Sequence, residues 1–270
     1  MEQHKFDNEL TDFLAKNNIV IKAENASTMS QDDFKKIRYD GFGASDSSRI
    51  LDVNPFPGGS PEDLLKDKIF RVHDDSIGKK SSVRMGRDLE DFIINKVSSI
   101  LGTEIYKPAH MYGKEFNGLN TNFDGVMIDG QYIPAEIKVI SPYGLRYYNF
   151  DRGIALETED GPIENALEKI RSKYVEMSYA SETYKTELTP MQRHINFNAE
   201  LVGIPTYYYT QLQQQIDFLD APYGYLFALD SKNWIIYCFK AEKDHHTIST
   251  LNGRAKKLFE RLMEAREMEK

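Results

Sequence analysis

Between residues 121 and 140 the chain reads as two strands around an Asp129-Gly130 turn, with Asp124 on the first strand and Glu136-Ile137-Lys138 on the second. A turn of this composition between alternating apolar segments is a strong local signal for a β-hairpin. Side chains alternate faces with a period of two, so the register of this hairpin decides whether its charged residues meet. A two-residue turn would pair Ile128 with Gln131 and Asp124 with Ala135, sending Asp124 and Glu136 to opposite faces. A three-residue loop, Ile128-Asp129-Gly130 with Gly130 left-handed in a bulge, pairs Met127 with Gln131 and Asp124 with Pro134. Glycine at the third loop position favours this second register, which predicts Asp124, Glu136 and Lys138 on one face.

Two carboxylates on one face offer hard oxygen ligands suited to Mg²⁺ or Mn²⁺, and the backbone carbonyl of Ile137 is a further candidate ligand. Lys138, two residues beyond Glu136, is placed to orient an attacking water and to stabilise charge on a pentacovalent phosphate. These are the parts of a metal-dependent phosphodiesterase. The competing reading is a surface Glu-Lys ion pair, which is common and worth little. Residues 85–101 add a helix with Leu89, Phe92, Ile93, Val97, Ile100 and Leu101 at helical spacing. Glu90 falls inside its apolar arc, between Val97 and Leu101, and an inward carboxylate needs a metal, a basic side chain or backbone amides as partner.

Composition narrows the function classes. The one cysteine, Cys238, lies in the apolar run 234–239, so disulfides and cysteine-ligated zinc or iron–sulfur centres are excluded. A net charge of −8 argues against a chain coated for indiscriminate nucleic-acid binding, while leaving room for a local basic groove. No apolar run approaches the ~20 residues of a membrane span, and the acidic start Met1-Glu2-Gln3-His4 does not read as a signal peptide. The expectation is a cytoplasmic protein without membrane contact.

Elsewhere, 5–17 and 30–38 read as helices, the second capped by Ser30, and Ser45 reads as the N-cap of a helix following Gly41-Phe42-Gly43-Ala44. The span 151–200 is charged and reads as an insertion with a helix from Ile163 to about Met177: an arm, a lid, an oligomer contact or an exposed decoration. Residues 225–229 and 234–239 read as a strand pair and 243–268 as a terminal helix, with His245 and His246 solvated. No linker divides the chain, so 1–270 is treated as one domain.

Glu90 beside Gly86 on a helix, then Asp124, then Glu136-Ile137-Lys138, resembles the PD-(D/E)XK nuclease fold, a restriction-endonuclease-like α/β architecture with a central mixed sheet flanked by helices. Further motifs resemble one branch, the lambda-exonuclease or YqaJ-like viral recombinase family: Phe34-Lys35-Lys36-Ile37-Arg38, then Gly43-Ala44-Ser45-Asp46, then Tyr208-Tyr209-Thr210-Gln211-Leu212-Gln213 as the Tyr-x-x-Gln-x-Gln helix. The chain departs from the family at Phe34, where a tryptophan is common, and in the longer 151–200 span.

The resemblance implies a 5′-to-3′ exonuclease acting on linear duplex ends in phage-type homologous recombination and leaving 3′ single-stranded tails. It implies Mg²⁺ or Mn²⁺, two ions per site, with Glu90 a further acidic ligand. Arg38 and Ser45 would contact the 5′-terminal phosphate, and Gln213, rather than Gln211, would stand by the reacting water. Implied partners are double-stranded DNA ends, further copies of the chain in a ring-like trimer, and a single-strand-annealing recombinase. The alternatives are an endonuclease of the same superfamily and a catalytically silent DNA-binding protein.

Overall fold

Tyr132–Ile140 and Tyr223–Asp230 are buried along most of their length, a pattern that belongs to strands covered on both faces. The computed structural model describes residues 1–26, 29–72, 80–175 and 187–268, without the side chains of Gln31, Asp32, Phe34 and Ser82. The expectations for the Phe34 side chain and for 176–177 therefore fall outside the described residues.

In chain order the helices are α1 (Gln3–Ala15), α2 (Gln31–Tyr39), α3 (Ser47–Ile50), α4 (Pro61–Ile69), α5 (Ser81–Leu101), α6 (Ala166–Ser172), α7 (Pro190–Val202), α8 (Thr206–Leu219) and α9 (His245–Met268). The strands are β1 (Ile19–Ala23), β2 (Phe42–Gly43), β3 (Ile105–Tyr106), β4 (Met111–Lys114), β5 (Leu119–Thr121) and β6 (Gly125–Ile128). They continue with β7 (Tyr132–Ile140), β8 (Ile154–Ala155), β9 (Glu157–Thr158), β10 (Gly161–Pro162), β11 (Tyr223–Asp230) and β12 (Ile235–Glu242).

The larger sheet has the order β3-β6-β7-β11-β12-β8. It is mixed, because β7 and β11 run parallel while β6 and β12 are antiparallel to their neighbours. A smaller sheet, β1-β4-β5-β2, precedes the hairpin in the chain. Helix α8 packs on β7 and β11 through Leu212 and Ile216. A Cβ at Gly224 would lie 2.8 Å from Leu212 and 3.0 Å from Ile216, so glycine here sets how close α8 comes to the sheet. One cluster of buried hydrophobic residues runs from Phe6 to Leu262 and draws on the six-stranded and the four-stranded sheet, while β9 and β10 form a separate two-stranded sheet. Among the described residues no helix is long and apolar enough to cross a membrane.

The hairpin differs from its predicted register by one step of two. Gly125 pairs with Ala135, Val126 with Pro134, Met127 with Ile133 and Ile128 with Tyr132. The three-residue loop is Asp129-Gly130-Gln131 and not Ile128-Asp129-Gly130, with Gly130 at φ 69° in its middle. A slip of two residues preserves which face each side chain takes, so Asp124, Glu136 and Lys138 still share one.

Three other expectations change. Ser45 caps no α-helix: residues 44–46 form a 3₁₀ turn, and the Asp46 carboxylate reaches back to accept from the Gly43 amide at 3.0 Å. Phe92 on α5 is exposed, while Ile94 is buried in its stead. The span 151–200 is largely built into the fold, since β8 extends the larger sheet, Leu156 and Ile170 are fully buried, and α7 contributes Ile195 and Ala199 to the core. Its first helix runs over Ala166–Ser172 only.

Candidate active site

The site forms where strand β6 stops short of its partner. On β7 the odd residues turn their amide and carbonyl toward β6, as the Asp129 amide donating to the Gln131 carbonyl at 2.9 Å shows at the turn end. Past Gly125 no strand continues, and the Asp124 carboxylate takes the Ile137 amide instead, at 3.1 Å. In an extended strand the N–H and C=O of one residue point to the same edge, so the Ile137 carbonyl opens onto the same place.

Glu136 is fully buried on the face of β7 covered by α8. Its Oε1 accepts from Lys138 and from Gln211 Nε2 at 2.5 Å, and its Oε2 accepts from Gln215 Nε2 at 2.6 Å. Lys138 Nζ lies 3.4 Å from Asp124 and 5.3 Å from the centre of the Tyr208 ring. Burial, with the charge of Asp124 adding to it, pushes the Glu136 carboxyl up to about 7 despite the lysine. Burial also works against a charged Lys138, but Glu136 and Asp124 outweigh it and raise its pKa, so the amine stays protonated.

Gln211 and Gln215 reach Glu136 because residues four apart stack on one face of a helix. Gln213 lies 200° round the helix from Gln211 and cannot join them. Its Nε2 donates to the Glu242 carbonyl at 2.8 Å and its Oε1 accepts from the Asp244 amide at 2.8 Å, so the expectation that it stands at the reacting centre is wrong. Gln215, outside the Tyr-x-x-Gln-x-Gln motif, is the second glutamine that reaches Glu136. The i, i+4 spacing from Gln211 was the signal that marked it.

Glu90 is at the margin. It is held by Lys107 at 2.7 Å, while burial and the charge of Asp124 push its carboxyl up. Among the described residues no three carboxylate, histidine or cysteine side chains stand together as a metal-holding group. The close set is Asp124, Glu136 and the Ile137 backbone, with Glu90 within electrostatic range.

Arg38 and Ser45 come together next door, Arg38 Nη2 donating to Ser45 Oγ at 3.3 Å. They line a small pocket of about 120 Å³ with Gly43, Asn120 and Gln211. Below it Lys68, almost fully buried, donates to the Arg38 carbonyl at 2.7 Å and to Asp46 at 2.8 Å, bracing the turn that carries Ser45. Asp46 closes the Gly43-Ala44-Ser45-Asp46 motif, but its pairing with Lys68 spans 22 residues and no local pattern reveals it. Gln211 thus belongs to both places: it bonds Glu136 and lines the Arg38–Ser45 pocket.

The sequence profile of the YqaJ-like viral recombinase domain matches residues 33–218. No curated protein matches the chain in sequence. Among solved structures it is similar to LHK-Exo in complex with dAMP, at 13% identity and a TM-score of 0.54. It is likewise similar to the alkaline exonuclease LHK-Exo from Laribacter hongkongensis, at 13% identity and a TM-score of 0.51. Each match covers 88% of this chain and 96% of the other. A likeness at that identity speaks for the fold, a mixed sheet flanked by helices of the PD-(D/E)XK type.

Proposed function

The chain belongs to the YqaJ-like viral recombinase domain family, and from that premise we propose that it is a divalent-metal-dependent exonuclease digesting one strand of linear duplex DNA from its 5′ end. The observation that carries this reading is the meeting of Asp124 and Glu136 at Lys138, with Gln211 bonded to Glu136 and also lining the Arg38–Ser45 pocket.

The donor set suits one hard octahedral cation. Asp124, Glu136 and the Ile137 carbonyl would hold it, leaving positions for water and phosphate oxygens, as Mg²⁺ prefers; Mn²⁺ has the same taste in ligands. When bound, such an ion supplies Lewis-acid activation of the phosphoryl group. A second ion would call on Glu90, whose pairing with Lys107 favours a one-ion reading over the two expected from family resemblance.

The chain's own residues have separable tasks. The carboxylates of Glu136 and Asp124 favour the protonated form of Lys138, and an amine in that form would stabilise negative charge developing on the phosphate. Gln211 and Gln215 fix the Glu136 carboxylate in one orientation, and Lys138 and Asp124 hold each other across the gap between strands. Arg38 and Ser45 offer a guanidinium and a hydroxyl to a terminal phosphate, a charge-assisted grip that an internal phosphodiester would not satisfy in the same way. The Gln211 side chain links this pocket to Glu136, a closeness that suits removal of one nucleotide at a time. A nucleoside monophosphate such as the dAMP held by LHK-Exo is a product of that kind. In recombination the remaining 3′ tail would serve an annealing partner.

Comparison of 5′-phosphorylated linear duplex with covalently closed circular DNA tests the end requirement. Linear DNA should be digested and closed circles left intact, and Arg38→Ala should lose its preference for phosphorylated over hydroxyl ends. Equal cutting of closed circles would overturn the proposal.

A further inference from the structure

A cleft of about 1150 Å³ opens at the N-terminal end of α8, beyond the range of roughly 300–1,000 Å³ usual for small-molecule pockets. It is lined by Phe56, Arg146, Tyr147 and Tyr207 among others. Phe56 and Tyr147 are each more than half exposed and line the same cleft, so two large rings present surface to whatever occupies it. None of the site residues described above explains them.

The cleft and the site are separated by one ring. Tyr207 packs 4.4 Å from Tyr208, and the Tyr208 ring lies 5.3 Å from Lys138 Nζ. On its other side Tyr207 meets Phe56 at 5.4 Å between centroids. Tyr207 stands one turn before Gln211 on the same stripe of α8, about 6 Å along the helix axis. A row of aromatic rings therefore runs outward from Lys138, beside the residue that lines the Arg38–Ser45 pocket.

The charges of the lining say which part of a nucleic acid it suits. Among the described residues of the lining, Asp52, Glu187 and Glu200 are acidic and Arg146 is basic, a balance that disfavours a phosphodiester backbone there. It does not disfavour an uncharged base. Arg146 stands by Tyr147, its Cζ 4.8 Å from the ring centre and its Nη2 donating to the phenol oxygen at 2.8 Å, and guanidinium and phenol are both groups on which bases stack.

We propose that this cleft is a nucleobase subsite: it takes unpaired bases of the strand end being digested, stacked on Tyr207 and Phe56, while the backbone follows the Arg38-to-Lys138 side. The proposal rests on the nuclease reading for the identity of the strand. Stacking of bases on aromatic rings is indifferent to sequence, which suits an enzyme that must accept every nucleotide.

The test uses 5′-phosphorylated duplexes whose first two nucleotides carry bases or are abasic, with the wild type, Tyr207→Ala, Tyr207→Phe and Phe56→Ala. The wild type should show a KM on the order of tenfold higher for the abasic end, from the loss of one stacked base. Tyr207→Ala and Phe56→Ala should lose this discrimination, and Tyr207→Phe should keep it. In a parallel arm without metal, fluorescence anisotropy with a 5′-phosphorylated tetranucleotide and its abasic counterpart should give the same ranking of affinities. Equal handling of both ends by the wild type, or discrimination that survives Tyr207→Ala, would overturn the subsite. Absence of any DNA hydrolysis would sink the nuclease reading instead, and the binding arm would still decide whether the cleft holds bases.

Discussion

Helix α8 has a buried carboxylate on each flank, and the two are in opposite states. Toward β7 stands Glu136, held by Lys138, Gln211 and Gln215. On the other flank stands Asp244, the first residue before α9, which Gln213 holds through its amide. Asp244 accepts from Tyr209 at 2.8 Å, from the Thr247 hydroxyl at 2.6 Å, and from the amides of His246 and Thr247 at 3.1 Å; His194 Nε2 lies 2.8 Å away. Burial opposes its charge, but these bonds outweigh burial and hold its pKa far below the usual carboxylate range. Glu136 has donors too, yet its carboxyl is pushed up, because complete burial outweighs them and the charge of Asp124 beside it adds to the effect. A satisfied carboxylate fastens structure. A repelled one, with a protonated lysine and an open strand edge at hand, is placed for chemistry.

The contrast predicts opposite outcomes for parallel substitutions. Glu136→Gln should reduce DNA hydrolysis on the order of 10²-fold or more while Tm stays level or rises, because a buried charge is removed from beside Asp124. Asp244→Ala should instead destabilise by about 3 kcal/mol or more, since it strands several buried donors, with little loss of rate per folded molecule. Urea melts and single-substrate rates on both variants measure the pair. A smaller effect separates the glutamines: Gln211→Ala should cut the rate about tenfold with stability within ~1 kcal/mol, and Gln213→Ala should lose roughly 1–3 kcal/mol with its rate intact. If Gln213→Ala proved the slower enzyme, the two flanks would have to be exchanged.

The smallest effect is in acid. The depressed pKa of Asp244 contributes stability in full above its unfolded value of about 4, and that contribution is lost as pH falls from there toward the folded value. The Tm gap between wild type and Asp244→Asn should therefore be widest near neutrality and narrow below about pH 4. A gap that widened in acid would contradict the sign of the shift.

How much of this was legible in the sequence follows from what each signal encodes. Alternation in 121–140 encodes the face of a side chain, so the convergence of Asp124, Glu136 and Lys138 could be read; the pairing of Asp124 was misread by two residues because such a slip leaves every face unchanged. The helical period separates Gln211 from Gln213 by 200° on α8, but which of them meets the carboxylate depends on how the helix lies on β7 and β11. The partner that an inward Glu90 needs is Lys107, which follows β3, a long-range pairing no local pattern reveals. The Asp244 network joins residues 35 to 50 apart, and its histidine sits in an otherwise ordinary helix. Ser45 was misjudged because a glycine-led turn can open a 3₁₀ segment as readily as an α-helix, and only the Asp46 bond to Gly43 distinguishes them.

The central claim is that the open edge beside β7 joins two carboxylates and a protonated lysine into one metal-dependent phosphodiesterase site. The most direct measurement is digestion of end-labelled linear duplex by the wild type in Mg²⁺, by the wild type in EDTA, and by Lys138→Ala in Mg²⁺. The account predicts nucleotide release in the first case, none in EDTA, and a loss on the order of 10²–10³-fold in the variant with its fold intact. Undiminished release in EDTA, or by a folded Lys138→Ala, would contradict it.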